Sequence, residues 1–161
     1  MDTKCISLIE QVQKTYSIDG LTEFLSIEAP VSPILSFINI YDNSEHIAQV
    51  GLTLTSEYIE IGMAERISTD EKHKGIVKKI IQIIVCKGVE LNLPINFRAM
   101  PDKRRNVNKL YKYYNTIGFT RRNKNNNGKG DSISYNTSVR NLKKIVNSLR
   151  KTRKRRTNKF C

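Results

Sequence analysis

The chain has 161 residues, 39% of them hydrophobic, which fits one domain with a modest core. Its formal net charge of +13 is uneven: residues 1–101 hold 9 Lys or Arg against 13 Asp or Glu, and residues 102–161 hold 19 against 2. No apolar run of transmembrane length and no signal-peptide-like start is present, and Cys5, Cys86 and Cys161 are too widely spaced for a metal-ligand pattern. These features point to a soluble intracellular protein in a reducing compartment, with Cys86 a packing residue.

From Thr3 to Tyr16, the apolar residues Cys5, Leu8, Ile9, Val12 and Tyr16 form one stripe of a helix. Asp19-Gly20 ends it. A short apolar segment, Leu21 to Ile27, runs into Ala29-Pro30 and Ser32-Pro33, which mark a loop. Ile34 to Tyr41 and Ile47 to Leu54 read as strands of a hairpin joined by Asp42-Asn43-Ser44-Glu45.

Glu57 to Ile67 alternates with period two and predicts a third strand. The run Lys72-His73-Lys74-Gly75-Ile76-Val77-Lys78-Lys79 then opens a helix whose Val77, Ile80, Ile81, Ile84, Gly88 and Leu91 repeat at helical spacing. A glycine turn entering a helix leaves the first backbone N–H groups without partners, and they converge on whatever lies beyond the helix start. With the charge of the lysines in this run, the turn suits a phosphate or pyrophosphate. Asn92-Leu93-Pro94 stops the helix, and Ile95, Phe97 and Ala99 share one face of the next strand. Lys103-Arg104-Arg105 leads to a helix bearing Tyr114, Asn123 to Gly130 is a polar turn, and Ser132 to Tyr135 is a last strand. The order predicts an α/β fold.

This stretch resembles the GNAT superfamily of acetyl-CoA-dependent N-acetyltransferases. The family opens its central helix with Arg or Gln, two free positions, Gly, one free position, then Gly or Ala; Lys72, Gly75 and Val77 fall on the defined positions, and only Gly75 matches outright. Lys72 keeps the charge of arginine without its fork of donors. Leu110 to Phe119 is similar to the family's Ala-x-x-Leu-Tyr-x-x-x-Gly-Phe segment, with Tyr114 on the tyrosine and Gly118-Phe119 on the closing pair. The family's preceding asparagine falls on Val107, between Asn106 and Asn108. The resemblance covers about residues 32 to 136 and implies a mixed, mostly antiparallel sheet flanked by helices.

What it implies for chemistry is transfer of acetyl from acetyl-CoA to an amine, of a protein or a small molecule, by direct attack. Lys72, Lys74, Gly75, Ile76, Val77 and Lys78 then form the cofactor turn, with backbone N–H groups from Lys74 to Lys78 as the main donors. Tyr114 is the candidate proton donor to the departing thiolate, and a phenol with a pKa near ~10 keeps its proton at neutral pH. Its helical spacing with Val107, Leu110 and Tyr111 equally suits plain packing. Glu60 is the candidate base and equally a solvent-facing strand residue; the odd separation of Glu60 and Glu65 places them on opposite strand faces. His46 and His73 are lone histidines, and no metal site is expected.

Residues 1–137 are therefore expected to form the acetyltransferase-like domain, 138–150 an amphipathic basic helix, and 151–161 a disordered tail. Val139, Leu142, Ile145, Val146 and Leu149 form the helix's apolar stripe, which suits packing on the domain or an acidic membrane. Arg150, Lys151, Arg153, Lys154, Arg155 and Arg156 suit DNA or RNA, because lysine and arginine displace phosphate counterions without reading sequence. The tail also fits a nuclear-localisation signal. The alternative function is a catalytically inactive GNAT-like domain serving as a basic nucleic-acid-associated or virion structural module. Heavy use of Ile, Asn and Lys hints at an AT-rich genome such as that of a large DNA virus, which would place the protein in host cell and particle.

Overall fold

The computed structural model describes residues 1–99, 107–119, 121–125 and 132–150. In chain order the elements are α1 (Thr3–Thr15), β1 (Ser17–Asp19), α2 (Leu21–Ser26), β2 (Ile34–Asp42), β3 (Glu45–Leu54), β4 (Ile59–Arg66) and a 3-10 turn (Glu71–His73). Then follow α3 (Ile76–Leu91), β5 (Ile95–Ala99), α4 (Val107–Ile117), β6 (Arg121–Asn125), β7 (Ser132–Thr137) and α5 (Val139–Ser148). The strands form one seven-stranded sheet in the order β1-β2-β3-β4-β5-β7-β6. Every neighbouring pair is antiparallel except β4 and β5. The expected mixed, mostly antiparallel α/β fold is the one observed.

The helical stripe of α3 explains the architecture. Ile76, Ile80, Ile81, Ile84 and Val85 are buried among the core-facing residues of the sheet, which include Val50, Leu52, Ile59 and Ile61. A parallel β4–β5 pair needs such a crossover, since no tight turn joins parallel strands. The pairing is short: Ile59, Glu60 and Ile61 meet Ile95, Asn96 and Phe97, and from Gly62 onward β4 pairs only with β3. β5 meanwhile continues beside β7 to Ala99. The two strands thus part after three residues, leaving the far half of β4 without a β5 partner.

A β-bulge sits where they part. Gly51 pairs with Met63 and Leu52 with Ile61, so Gly62 is the extra residue. It corrects the expectation for the two glutamates: Glu60 pairs with Thr53 and Glu65 with Gln49, which share one face of β3. Glu60 and Glu65 therefore lie on the same face, because the inserted residue reverses the alternation of β4.

The apolar stripe of α5 is buried at Leu142, Ile145 and Val146, and the helix packs against α3. A Cβ at Gly88 of α3 would lie 3.0 Å from Leu142 Cδ1, so the helices meet at the one residue that lets them approach. Gly118 closes α4 at φ +108°, and a Cβ there would lie 2.9 Å from Ile145. Only glycine meets both demands. Residues 151–161, with the expected tail donors Lys151, Arg153, Lys154, Arg155 and Arg156, lie outside the described residues; Arg150 is exposed.

Three expectations change. Asn123 to Asn125 belong to β6 rather than to a turn: this edge strand is paired through its backbone, and its polar composition carries no alternation. Residues 126–131 lie outside the described residues. Second, Ser17–Asp19 is a strand on β2, and Leu21–Ser26 is a short helix that buries Leu21 and Phe24. Third, Cys5 and Cys86 form a disulfide that ties α1 to α3 across the core, so Cys86 does more than pack. Facing positions on two packed helices bring them together despite 81 residues of separation. Among the described residues, no helix is long and apolar enough to cross a membrane.

Candidate active site

The loop from β4 to α3 is built by side chains bonding to nearby backbone. Ser68 Oγ accepts the N–H of Asp70 at 3.2 Å, Asp70 Oδ1 accepts that of Lys72 at 3.0 Å, and the Lys74 N–H donates to the Glu71 carbonyl at 3.1 Å. These bonds wind the 3-10 turn and deliver Gly75 at φ +89° as the residue before α3. A Cβ at Gly75 would meet nothing within 4 Å, so the space before the helix is open. The Lys79 N–H is the first to close onto Gly75 O. Ile76, Val77 and Lys78 precede it, and helix geometry leaves their N–H groups facing the open side with no side-chain cap from Gly75.

Two expected donors are diverted. Lys74 spends its N–H inside the turn, so the convergent set starts after it. Lys72 Nζ lies 3.4 Å from Asp42 Oδ2 and 3.9 Å from Asp70 Oδ2, which draws its charge toward two carboxylates. Val77 is half-buried and packs against the core.

His73 holds the turn in place. Its ring is buried, with Nδ1 2.7 Å from Ser68 Oγ and Nε2 2.7 Å from Asp42 Oδ2 at the end of β2. Because Ser68 Oγ already accepts the Asp70 N–H, its own O–H is available to Nδ1, and Nε2–H donates to Asp42. Tyr16 at the end of α1 meets the ring edge-on at 6.1 Å between centroids. The hydrogen bond from His73 lowers the Asp42 pKa most; partial burial works in the opposite direction, and Lys72 lowers it further through its own bond and charge. Sequence reading took His73 as a lone histidine. Its partner Asp42 is 31 residues away, and only Ser68 lies near enough in sequence to have hinted at the network.

Arg66 is a further residue that the sequence did not single out. It pairs with Ala48 in register, which puts it on the sheet face that α3 covers, at the end of β4 leading into the turn. Its Nη1 is buried and has no hydrogen-bond partner. A guanidinium N–H left unpaired in a partly buried place is a donor in want of an acceptor.

Across the gap, Tyr114 is only 8% exposed and lies in a cluster of rings. Phe97 of β5 is 4.7 Å from it, Tyr113 5.1 Å and Tyr135 of β7 5.4 Å. The Tyr114 carbonyl also accepts the N–H groups of Gly118 and Phe119, closing the helix. Glu60 is exposed on the outer sheet face and is paired in register with Asn96, whose Oδ1 is buried without a partner. Glu60 and Tyr114 therefore belong to the two strands that separate at Gly62: one stands on β4, the other against β5. Among the described residues, no group of three or more His, Cys, Asp or Glu is arranged to hold a metal ion.

No protein-family model matches the chain, and no curated protein matches it. Solved structures do. Arabidopsis thaliana Naa50, in complex with the bisubstrate analogue CoA-Ac-MVNAL, matches with a TM-score of 0.57 over 77% of this chain and 99% of that one, at 14% identity. A GNAT-family protein from Desulfovibrio desulfuricans gives 0.52 over 65% and 69% at 12% identity. Ard1 from Thermoplasma volcanium gives 0.51 over 83% and 78% at 11% identity. The chain has the GNAT fold.

Proposed function

We propose that this GNAT-fold chain is an N-acetyltransferase using acetyl-CoA and an amine acceptor. The observation that carries the reading is the conjunction of an uncapped, open helix start at Gly75 with the parting of β4 and β5 beside it. The first supplies convergent N–H donors for a pyrophosphate. The second supplies unpaired strand backbone for an extended cofactor arm. Gly75, Ile76, Val77 and Lys78 are the residues that fit the anion. The buried, unpartnered Nη1 of Arg66 adds a donor to replace the diverted Lys72.

In the proposed reaction the amine nitrogen attacks the thioester carbonyl, a C–N bond forms, and the C–S bond breaks. Glu60 takes the proton from the amine, and Tyr114 protonates the sulfur so that coenzyme A leaves as a thiol. The basic residues from Arg150 onward are proposed to hold a polyanion such as DNA or RNA. A second reading is an inactive GNAT-fold module with the same basic tail. It is favoured by Lys72, held by two carboxylates, and by the burial of Tyr114 among rings.

Acetyl-CoA calorimetry on the full chain separates the two. Any L-residue at Gly75 is strained, so the informative pair is Gly75→Asn and Gly75→Asp, which are nearly isosteric and both tolerate positive φ. Acetyl-CoA is expected to bind the native chain, and Gly75→Asp to weaken it at least ~10-fold more than Gly75→Asn through repulsion at the helix start. No binding to the native chain moves the conclusion to the second reading.

A further inference from the structure

The helices cover one face of the sheet, and the outer face of β2, β3 and β4 carries an unexplained apolar feature. Leu35 is 66% exposed, Phe37 52% and Met63 39%, although all three stand on paired strands. In register, Leu35 faces Thr53, Phe37 faces Gly51, and Gly51 faces Met63. Among them lies a cavity of about 140 Å³, lined by Leu35, Phe37, Gly51, Thr53, Gly62 and Met63.

Two glycines make this cavity. A Cβ at Gly51 would lie 3.2 Å from the Phe37 ring and 3.8 Å from Met63 Cβ; one at Gly62 would meet only the Gly51 carbonyl, at 3.8 Å. Side chains there would fill the hollow. Gly62 is also the bulged residue at which β4 leaves β5, so the cavity adjoins the parting of the strands. Its polar neighbour is Glu60, exposed and paired with the cavity-lining Thr53 on the same face. An apolar hollow beside an exposed carboxylate is complementary to a cationic amine whose adjacent carbon bears an apolar group.

We propose that this cavity receives the apolar side chain of the acetyl acceptor, with its amine beside Glu60. The acceptor class is then a polypeptide amino terminus that begins with a residue such as Met or Leu. Size agrees: an apolar cavity of about 150 Å³ holds a benzene-sized group. This inference rests on the acetyl-transfer reading and narrows it from amines at large to apolar primary amines.

The test uses two conjugates in which coenzyme A is joined through an acetyl group to the amino terminus of a tetrapeptide, one starting with Met and one with Asp. Titrated by calorimetry into the full chain, the Met conjugate is expected to bind ~10- to 200-fold tighter than the Asp conjugate, the range that hydrophobic pockets give. Gly51→Val fills the cavity and should erase this preference while leaving free coenzyme A affinity unchanged. Phe37→Ser opens the cavity from an exposed position and should reduce the preference without unfolding the chain. Equal affinity for the two conjugates, with coenzyme A itself bound, overturns the cavity assignment alone. Failure of coenzyme A to bind overturns the acetyl-transfer reading and the assignment with it. A concentration-dependent dimer in sedimentation that Phe37→Ser dissociates would show the face to be covered by a second copy, and would overturn the assignment too.

Discussion

The turn before α3 and the ring cluster around Tyr114 flank the same gap in the sheet, yet opposite physics holds them. In the turn, directional bonds of 2.7–3.2 Å from Ser68, Asp70, His73 and Asp42 fix each residue, and the space beside Gly75 stays open. In the cluster, Phe97 stacks on Tyr135 at 4.6 Å and meets Tyr114 and Phe119 at 4.7 and 5.0 Å, with packing as the main constraint. The turn exposes backbone donors and so can bind. The cluster excludes solvent and so sets the surroundings of a single hydroxyl. A substitution in the turn tests a bond; in the cluster it tests a volume unless the ring is kept.

The largest effects should come from the cluster. Tyr114→Ala removes a buried ring and is expected to cost about 3–5 kcal/mol in urea denaturation. Tyr114→Phe keeps the ring, and its stability should stay within ~1.5 kcal/mol of the native chain. If the hydroxyl delivers the proton to the thiolate, turnover of Tyr114→Phe falls by a factor of ~10²–10⁴. Unchanged turnover across pH would assign Tyr114 to packing alone.

A smaller effect is expected in the turn. His73→Leu leaves Asp42 and Ser68 without their buried partner, which should cost about 1–3 kcal/mol. Acetyl-CoA affinity should fall as well, since the bonds that aim Gly75 are lost. His73→Gln, which retains a donor and an acceptor, should recover part of both. Were affinity to fall while stability held, His73 would act on the turn locally; if both stayed native, the polar network would not be what holds the turn.

What the sequence revealed follows the same division. The order from β4 to α4 was legible because period-two and helical patterns alternate around Gly75 and Gly118, whose positive φ values fix a turn and a helix end. The apolar stripe of α5 was legible for the same reason, and it is buried at Leu142, Ile145 and Val146. The bulge at Gly62 was not: one inserted residue reverses the face of Glu65 relative to Glu60 and leaves no pattern of its own. Nor were the pairings of Asp42 with His73 or Cys5 with Cys86, where 31 and 81 intervening positions hide partners that only the folded sheet and helices bring together. At the helix start, glycine announced the open backbone. Which lysines were free depended on Asp42 and on the Glu71 carbonyl, and so on tertiary structure.

The finest distinction between the two regions is electrostatic, and it resides in Asp42. Bonding from His73, with Lys72 beside it, holds its folded pKa below the ordinary carboxylate value, so the charged form is favoured in the native state. A depressed acid contributes stability that is fully present above its unfolded pKa of about 3.9 and is lost as pH falls toward the folded value. Asp42→Asn keeps an acceptor for His73 without the charge. The stability difference between native chain and Asp42→Asn should therefore be flat from pH 7 to 5 and shrink below about pH 4, read by urea denaturation across that range. The ring cluster offers no such charge, and Tyr114→Phe should show no comparable narrowing there. A constant Asp42 difference down to pH 3 would mean that the carboxylate holds the turn by shape and hydrogen bonding rather than by charge.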